Sequence, residues 1–387
     1  MADLKSLKIL FLCSWYPNRT NKTLGNFIQK HAEAISQFHE VTVLCLISDQ
    51  NTKQIECVIN DNNGLREILV YYPKIKYKIP IFGSFIKAIR QYNAFKTGWK
   101  KISEKGKPEI THLNVTYSAG IWAVFIKKIK RIPFVITEHS SGFHSKENGY
   151  SKFILKLCKI ILKNASFIMP VSEDLKSHLI KIHPKGKYKS ISNVVDKSIF
   201  KINDEKQKEN NFIHVSTAYE AAKNLLGIIR VIKELSEIRK DFKLHIVSDG
   251  DIKKAHELSR ELGVLNSYVI FHETKTTLEI SKMYQGKKAL ILFSNFENFP
   301  CVIPEAWMSG VPVIATNVNG IPEYLNKQNG ILVEPKNEKM LLEAMNKILD
   351  NQATFDKNKM REFAIKHFSY NAVAKKYSEI YSKVIPS

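Results

Sequence analysis

Short apolar runs rich in β-branched residues alternate along this chain with longer stretches in which apolar residues recur at helical spacing, the pattern of βα units stacked into parallel sheets. Runs at residues 8–14, 41–47, 66–71, 110–114, 134–137 and 166–170 predict one set of strands. A second set is predicted at 212–215, 243–247, 268–271, 289–293, 312–315 and 331–333. Two such sets predict an α/β protein of two Rossmann-like domains. Between them, residues 201–211 read KINDEKQKENN, polar, charged and without apolar periodicity, so the boundary is expected near residues 196–211. Past residue 333 the periodicity turns helical, at 338–350, 355–367 and 370–385. The last stretch follows a bend at Phe368 and Ser369 and is expected to pack back on the first domain. The expected organisation is a first domain over 1–200, a second over 201–368 and a C-terminal helix over 369–387.

Size supports that division, since 387 residues exceed what one hydrophobic core usually serves. With 44% apolar and 25% charged residues, disorder is excluded. The five cysteines, Cys13, Cys45, Cys57, Cys158 and Cys301, are scattered and have neither the close spacing of a zinc or redox site nor a disulfide framework, so a reducing, cytoplasmic location is expected. The apolar run at 9–12, continuing into Trp15, is too short for a signal sequence. No uninterrupted apolar stretch reaches the length of about 18 residues needed to span a bilayer.

Charge is uneven. The formal net charge is +22, and residues 1–200 carry 32 Lys and Arg against 14 Asp and Glu, while residues 201–387 carry 27 against 23. Three readings compete for this excess: nucleic acid, an anionic membrane or acceptor, and a lysine-rich solvated face. The aromatic residues lie in no recognised nucleic-acid-binding motif, which counts against the first. Two basic stretches, 84–107 and 152–163, interleave lysines with Phe85, Ile89, Tyr92, Phe95 and Trp99, and with Phe153, Ile154, Leu157, Ile160 and Ile161. Basic amphipathic helices of this kind lie on anionic bilayers; equally, their apolar faces serve to pack on a sheet.

Ligands of open α/β sheets bind outside the carboxyl ends of the strands, so residues that follow strands are the candidates. After the run 289–293 comes Ser294-Asn-Phe-Glu297-Asn298-Phe299-Pro-Cys301-Val302-Ile-Pro304-Glu305-Ala-Trp-Met-Ser-Gly310. Pro304 suits the first turn of a helix and Gly310 its end, so two carboxylates straddle a strand-to-helix loop. A helix N-terminus attracts anions, and a carboxylate accepts hydrogen bonds from neighbouring hydroxyls. Together they suit a ligand that is both phosphorylated and polyhydroxylated. Taken singly, each acid also reads as a dipole partner or an exposed loop residue.

Glu297, seven intervening residues and Glu305, then Ala-Trp-Met-Ser-Gly-Val-Pro-Val-Ile-Ala-Thr and Gly320-Ile-Pro-Glu323, resemble the signature of glycosyltransferase family 4. The resemblance implies the GT-B fold, two Rossmann-like domains with parallel sheets facing a central cleft. It also implies roles: Glu297 for hydroxyls of the donor sugar, backbone N–H groups after it for sugar or phosphate, and Glu305 for the ribose. Asn298 stands where the family usually has glycine. Pro300 has no N–H, so those contacts would fall to Phe299, Cys301 and Val302. The run Ser216-Thr-Ala-Tyr-Glu-Ala-Ala-Lys223-Asn224 resembles the family loop whose arginine and lysine neutralise the leaving diphosphate. Lys223 matches the lysine, with Asn224 beside it, and no arginine matches. In the first domain Gly25, ahead of a helix predicted at 27–36, resembles a glycine that faces the donor phosphate, although turn geometry alone also accounts for it. His139, after the strand at 134–137, resembles the family's strand-end histidine beside the reacting sugar. Glu138 is a second candidate there, as an acceptor-side base or an exposed acid, and His112 reads either as facing the cleft or, more readily, as a packed core histidine.

The family retains anomeric configuration without a metal, so the resemblance implies a front-face displacement from a nucleotide-diphosphate-sugar, with no cofactor and no metal ligands. The acceptor expected is a hydroxyl of a glycan or lipid-linked molecule in bacterial cell-surface polysaccharide synthesis, with nucleic acid excluded. The location expected is cytoplasmic, peripheral to the inner face of the cytoplasmic membrane. A catalytically silent GT-B-like binding protein remains the competing class.

Overall fold

The computed structural model describes residues 5–62, 64–75, 82–144, 149–205 and 209–385. The chain forms two compact units. One holds the chain up to Val171, Leu175–Val194 and everything from Val373; the other holds Ser172–Asp174 and Val195–Ala372. The division at Val194 and Val195 precedes the charged connection at 201–211, of which residues 206–208 lie outside the described residues. Residues just after Val195 are not a free linker: Phe200 is buried, and Arg361 donates to its carbonyl oxygen.

In the first unit, strands and helices alternate as β1 (Lys8–Cys13), α1 (Asn26–Ser36), β2 (Glu40–Asp49), β3 (Glu56–Asn62), β4 (Leu65–Pro73), α2 (Phe82–Ser103), β5 (Ile110–Asn114), α3 (Gly120–Lys130), β6 (Phe134–Glu138), α4 (Lys152–Asn164), β7 (Phe167–Pro170) and α5 (Glu173–Ile182). The sheet order is β3-β4-β2-β1-β5-β6-β7. Every pairing is parallel except β3 with β4. Strand β3 adds an antiparallel edge to the otherwise parallel sheet and has no counterpart among the predicted strands. Its sequence, ECVINDN, has only three consecutive apolar residues before it turns polar, and it lies at the sheet edge with much of it exposed, so it lacks the longer apolar run that marks a buried parallel strand.

The second unit continues with β8 (Asn211–Ser216), α6 (Glu220–Lys223), α7 (Leu225–Ile238), β9 (Lys243–Ser248), α8 (Lys253–Glu261), β10 (Val269–His272), α9 (Thr277–Tyr284), β11 (Ala289–Leu292), α10 (Val302–Met308), β12 (Val313–Thr316), β13 (Gly330–Val333), α11 (Glu338–Leu349) and α12 (Lys357–Phe368). Its sheet is fully parallel, in the order β10-β9-β8-β11-β12-β13. One apolar layer packs α7, α8 and α11 on the sheet; a second, around Trp307 and Phe368, packs α10 and α12. Every predicted strand is present, with its ends moved by no more than two residues.

The final helix, α13 (Tyr370–Val384), meets the first sheet through hydrogen bonds that bury its hydroxyls. Tyr381 pairs with His112 Nδ1 at 2.6 Å, Thr137 Oγ1 donates to Tyr377 at 3.1 Å, and Ser378 pairs with His39 Nε2 at 2.8 Å. Buried hydroxyls and imidazoles need such partners, and this helix supplies them. His112 is the core histidine expected, neutral because burial pushes its pKa well below the usual value.

Candidate active site

In the second sheet the strand order reverses between β8 and β11: β9 and β10 follow on one side, β12 and β13 on the other. Connections that depart in opposite directions leave a crevice at the carboxyl ends of the two central strands, the usual ligand position in such sheets. The loops leaving that point are those that carry Lys223 and Glu297. Beneath them His214 bridges the strands: Nδ1 donates to the Ile291 carbonyl at 2.8 Å and Nε2 pairs with Ser216 Oγ at 2.7 Å. Burial lowers its pKa to about 4, so it is a neutral strut.

Backbone contacts stitch the two loops together. Asn295 N–H donates to the Ala222 carbonyl at 2.7 Å, and its side-chain amide reaches the Ala221 carbonyl at 3.1 Å. This brings Lys223 Nζ into an ion pair with Glu297 Oε1, both largely buried, at 17% and 9% side-chain exposure. Ser294 Oγ donates to the same carboxylate oxygen at 2.9 Å, and Glu297 N–H donates to Asn319 Oδ1 at 3.2 Å. Thr316 Oγ1 in turn donates to the Ser294 carbonyl at 2.6 Å. Ser294 and Asn319 escaped the sequence reading; the signal for Ser294 was its place directly after a strand, whereas Asn319 is brought in only by the fold of the next loop.

Asn224 lies in the left-handed region (φ 48°) between α6 and α7 and lays its side chain over Gly227, so its visible task is to turn the chain that carries Lys223. A Cβ on Gly320 would meet the Asn298 carbonyl oxygen at 1.8 Å, and one on Gly250 would meet the Thr217 carbonyl oxygen at 1.7 Å. Both glycines allow backbone to pass closely over the site loops. Of the residues expected to offer N–H groups, Cys301 and Val302 stand at the start of α10. Phe299 instead buries its ring against Phe368 and Tyr324, with centroids 5.3 and 5.0 Å away, so only its backbone remains for a ligand. Glu305 lies in the first turn of α10 and is buried. Beside the Lys223 loop is a cavity of about 350 Å³ lined by Thr217, Tyr219, Glu220, Asp251 and Lys254 among others, and Lys254 is the cation in that lining.

In the first unit Gly25 has φ +69°, and a Cβ there would lie 2.8 Å from the Trp15 carbonyl carbon. Backbone geometry alone therefore demands glycine at this position. His139 follows β6 as expected but is buried, its ring 4.5 Å from that of Phe27 and 5.5 Å from that of His31. Burial and the neighbouring His31 and His112 keep its pKa well below the usual value. Glu138 is not an exposed acid. Fully buried, its carboxylate accepts the N–H groups of Thr116, His139 and Ser140 at 2.8, 2.8 and 2.7 Å, and so shapes the loop that carries His139. The Cys13, Cys45 and Cys158 thiols are buried, and all five cysteines are unpaired with one another.

Two α/β units, one carrying an acid–lysine pair at a sheet switch point and a second acid in the next helix, define a glycosyltransferase of the GT-B fold. The family model described as Glycosyltransferase Family 4 matches residues 24–198, and that described as Glycosyl transferases group 1 matches residues 195–367. The chain belongs to this family, glycosyltransferase family 4 of the group 1 type. An uncharacterized glycosyltransferase of Methanocaldococcus jannaschii is 26% identical over 279 residues, covering 66% of this chain and 70% of that protein. A Bacillus subtilis protein assigned to teichuronic acid biosynthesis as a glycosyltransferase, TuaC, is 22% identical over 369 residues, 88% of each chain. Among solved structures, sucrose-phosphate synthase from Thermosynechococcus elongatus superposes with a TM-score of 0.80 at 18% identity, covering 97% of this chain and 99% of that one. Anabaena HepE in complex with UDP-glucose superposes with a TM-score of 0.71 at 18% identity, covering 97% and 100%. Among the described residues no helix is long and apolar enough to cross a membrane.

Proposed function

We propose that the enzyme is a retaining transferase that moves a sugar from a nucleotide-diphosphate-sugar to a hydroxyl of a glycan or lipid-linked acceptor in bacterial cell-surface polysaccharide synthesis, on the inner face of the cytoplasmic membrane. The observation that carries this reading is the ion pair of Lys223 with Glu297 at the switch point of the second sheet. Lys223 is the fixed cation for the leaving diphosphate, where a preorganised charge lowers the barrier. Glu297 takes hydroxyls of the donor sugar and Glu305 those of the ribose, while N–H groups at Phe299, Cys301 and Val302 hold sugar or phosphate. The chemistry needs no metal. The acceptor oxygen bonds to the anomeric carbon on the face from which the diphosphate oxygen leaves, and the acceptor proton passes to that diphosphate.

A polar cavity of about 650 Å³ at the ends of β2 and β4, lined by Arg19, Ser48, Asp49 and Lys74 among others, supports acceptor binding by the first unit. HepE in complex with UDP-glucose supports a UDP-sugar as the first donor to try. Thermal-shift screening with UDP-, GDP- and ADP-sugars identifies the donor, because a ligand that binds the folded state stabilises it. Transfer or donor hydrolysis is then measured for the parent and for Glu297→Ala. Loss of activity in the variant is expected; activity within about threefold of the parent, less than 0.7 kcal/mol of barrier, contradicts the role of Glu297. A parent that neither transfers nor hydrolyses any donor is a binding protein instead.

A further inference from the structure

Helices α2, α3 and α4 join β4 to β5, β5 to β6 and β6 to β7, and in the sheet these strands succeed one another in a single direction. Crossovers between parallel strands are right-handed, so all three helices cover the same face of the first sheet. Their contacts agree. Phe95 of α2 stacks on Trp122 of α3 at 4.4 Å, and a Cβ on Gly120 of α3 would strike Ile161 of α4. Each helix turns an apolar side to the sheet, with Ala94, Phe95, Ala123, Ile126, Cys158 and Ile161 buried. Packing on the sheet therefore accounts for half of the apolar residues noticed in these basic stretches, and for no more than that.

The other half face outward. Phe85 is 66% exposed, Phe153 77% and Ile160 55%, and Ile89, Tyr92, Ile121 and Ile129 are exposed as well. These seven are the majority of the large exposed apolar residues among those described in the whole chain. Phe85, Ile89 and Tyr92 follow one another at helical spacing on α2, and Phe153 and Ile160 share a stripe of α4 with Lys156 and Lys163. The same helices carry five, three and four Lys or Arg respectively, and no Asp or Glu. Lys101 turns away to Glu104, just beyond α2, at 2.8 Å. The charged residues of these helices are all basic, and the phenylalanine and isoleucine side chains exposed among them are apolar surface that water does not stabilise.

We infer that this three-helix face docks the enzyme on an anionic phospholipid bilayer, lysines at the headgroup phosphates and Phe85, Phe153 and Ile160 in the acyl boundary. A bilayer offers negative charge above an apolar layer, which matches both components; nucleic acid offers a place for the lysines but none for exposed isoleucines. The inference rests on the proposed membrane location and is independent of the donor site.

The test is flotation of the full chain with phosphatidylcholine vesicles, with and without phosphatidylglycerol, at low and high salt. The parent is expected to float with the anionic vesicles only, and less at high salt. Lys152→Gln, Lys156→Gln, Lys159→Gln and Lys163→Gln together should lower partitioning at least about tenfold. Phe85→Ser, Phe153→Ser and Ile160→Ser together should do the same without any change of charge. Stabilisation by UDP is recorded for every variant, so a folding defect or a failed donor site shows separately from a failed membrane surface. No flotation of the parent at low salt overturns the inference. So does unchanged flotation of the serine variant combined with displacement by an oligonucleotide, which would mark a surface for polyanions in general.

Discussion

Replacing Glu297 by glutamine and Lys223 by methionine, singly and together, tests whether their ion pair is the machinery of donor binding or merely a strut. In the structure Lys223 is already neutralised by Glu297, with Ser294 on the same oxygen. An incoming diphosphate must then share that ammonium with the carboxylate. A charge-assisted hydrogen bond between groups this buried is worth about 1.5–3 kcal/mol, against about 0–1 for an exposed pair. Lys223→Met is therefore expected to weaken UDP binding by about 10- to 150-fold. Glu297→Gln keeps the shape of the site but releases the lysine, so UDP should bind as tightly as to the parent or up to about fivefold tighter, about 1 kcal/mol. Transfer should nevertheless fall in Glu297→Gln by about 30- to 1,000-fold in kcat/KM, about 2–4 kcal/mol, as the sugar loses an ionised acceptor. Calorimetry with UDP reads the first quantity and initial rates of UDP release the second. The opposite signs are decisive. If both single variants lose UDP affinity by the same factor and the double variant loses no more, the pair is structural and the reasoning fails.

Gly320→Ala should displace the loop at Asn298, because the new Cβ would overlap its carbonyl oxygen; a loss of UDP affinity of tenfold or more is expected, and unchanged calorimetry would refute the close approach. Gly25→Ala should destabilise the first unit by more than about 1 kcal/mol, since alanine is strained at positive φ, with UDP stabilisation retained; an unchanged melting profile would count against it. Four buried histidines, His31, His112, His139 and His214, all have lowered pKa values, to about 3 for His31 and about 4 for His214. The unfolded chain therefore binds protons at these sites below pH about 6.5 while the folded chain does not, so each removes up to about 1.4 kcal/mol of stability per pH unit as pH falls. For His214 that loss levels off near pH 4. Denaturant titrations at pH 7.5 and 5.5 should differ by several kcal/mol, and equal midpoints would show that these imidazoles are protonated in the fold.

Much of this was legible beforehand because burial in a parallel sheet leaves a local mark. Strands covered on both faces must be apolar throughout, so runs such as 289–293 announce themselves, and the acids at 297 and 305 could be placed on a loop and a helix start by counting from the strand. Edge strand β3 carries no such mark, since half of it faces water. Polarity alone put the unit boundary near residues 196–211; the second unit begins at Val195, where Phe200 and its carbonyl are secured by a helix far along the chain, a contact that local polarity does not encode.

What the sequence determined by itself was the architecture, the family and the loops that matter, because hydrophobic period and the spacing of Glu297 and Glu305 are properties of neighbours in the chain. Which partners those side chains meet was decided only by the tertiary structure. Lys223 and Glu297 are joined because β8 and β11 are adjacent in the sheet, Glu138 is spent on backbone N–H groups, and the outward faces of α2, α3 and α4 merge into one basic, apolar layer because their crossovers share a hand. Such contacts join residues distant in sequence, and only closing the chain over a common sheet brings them within the few ångströms at which charge and burial act.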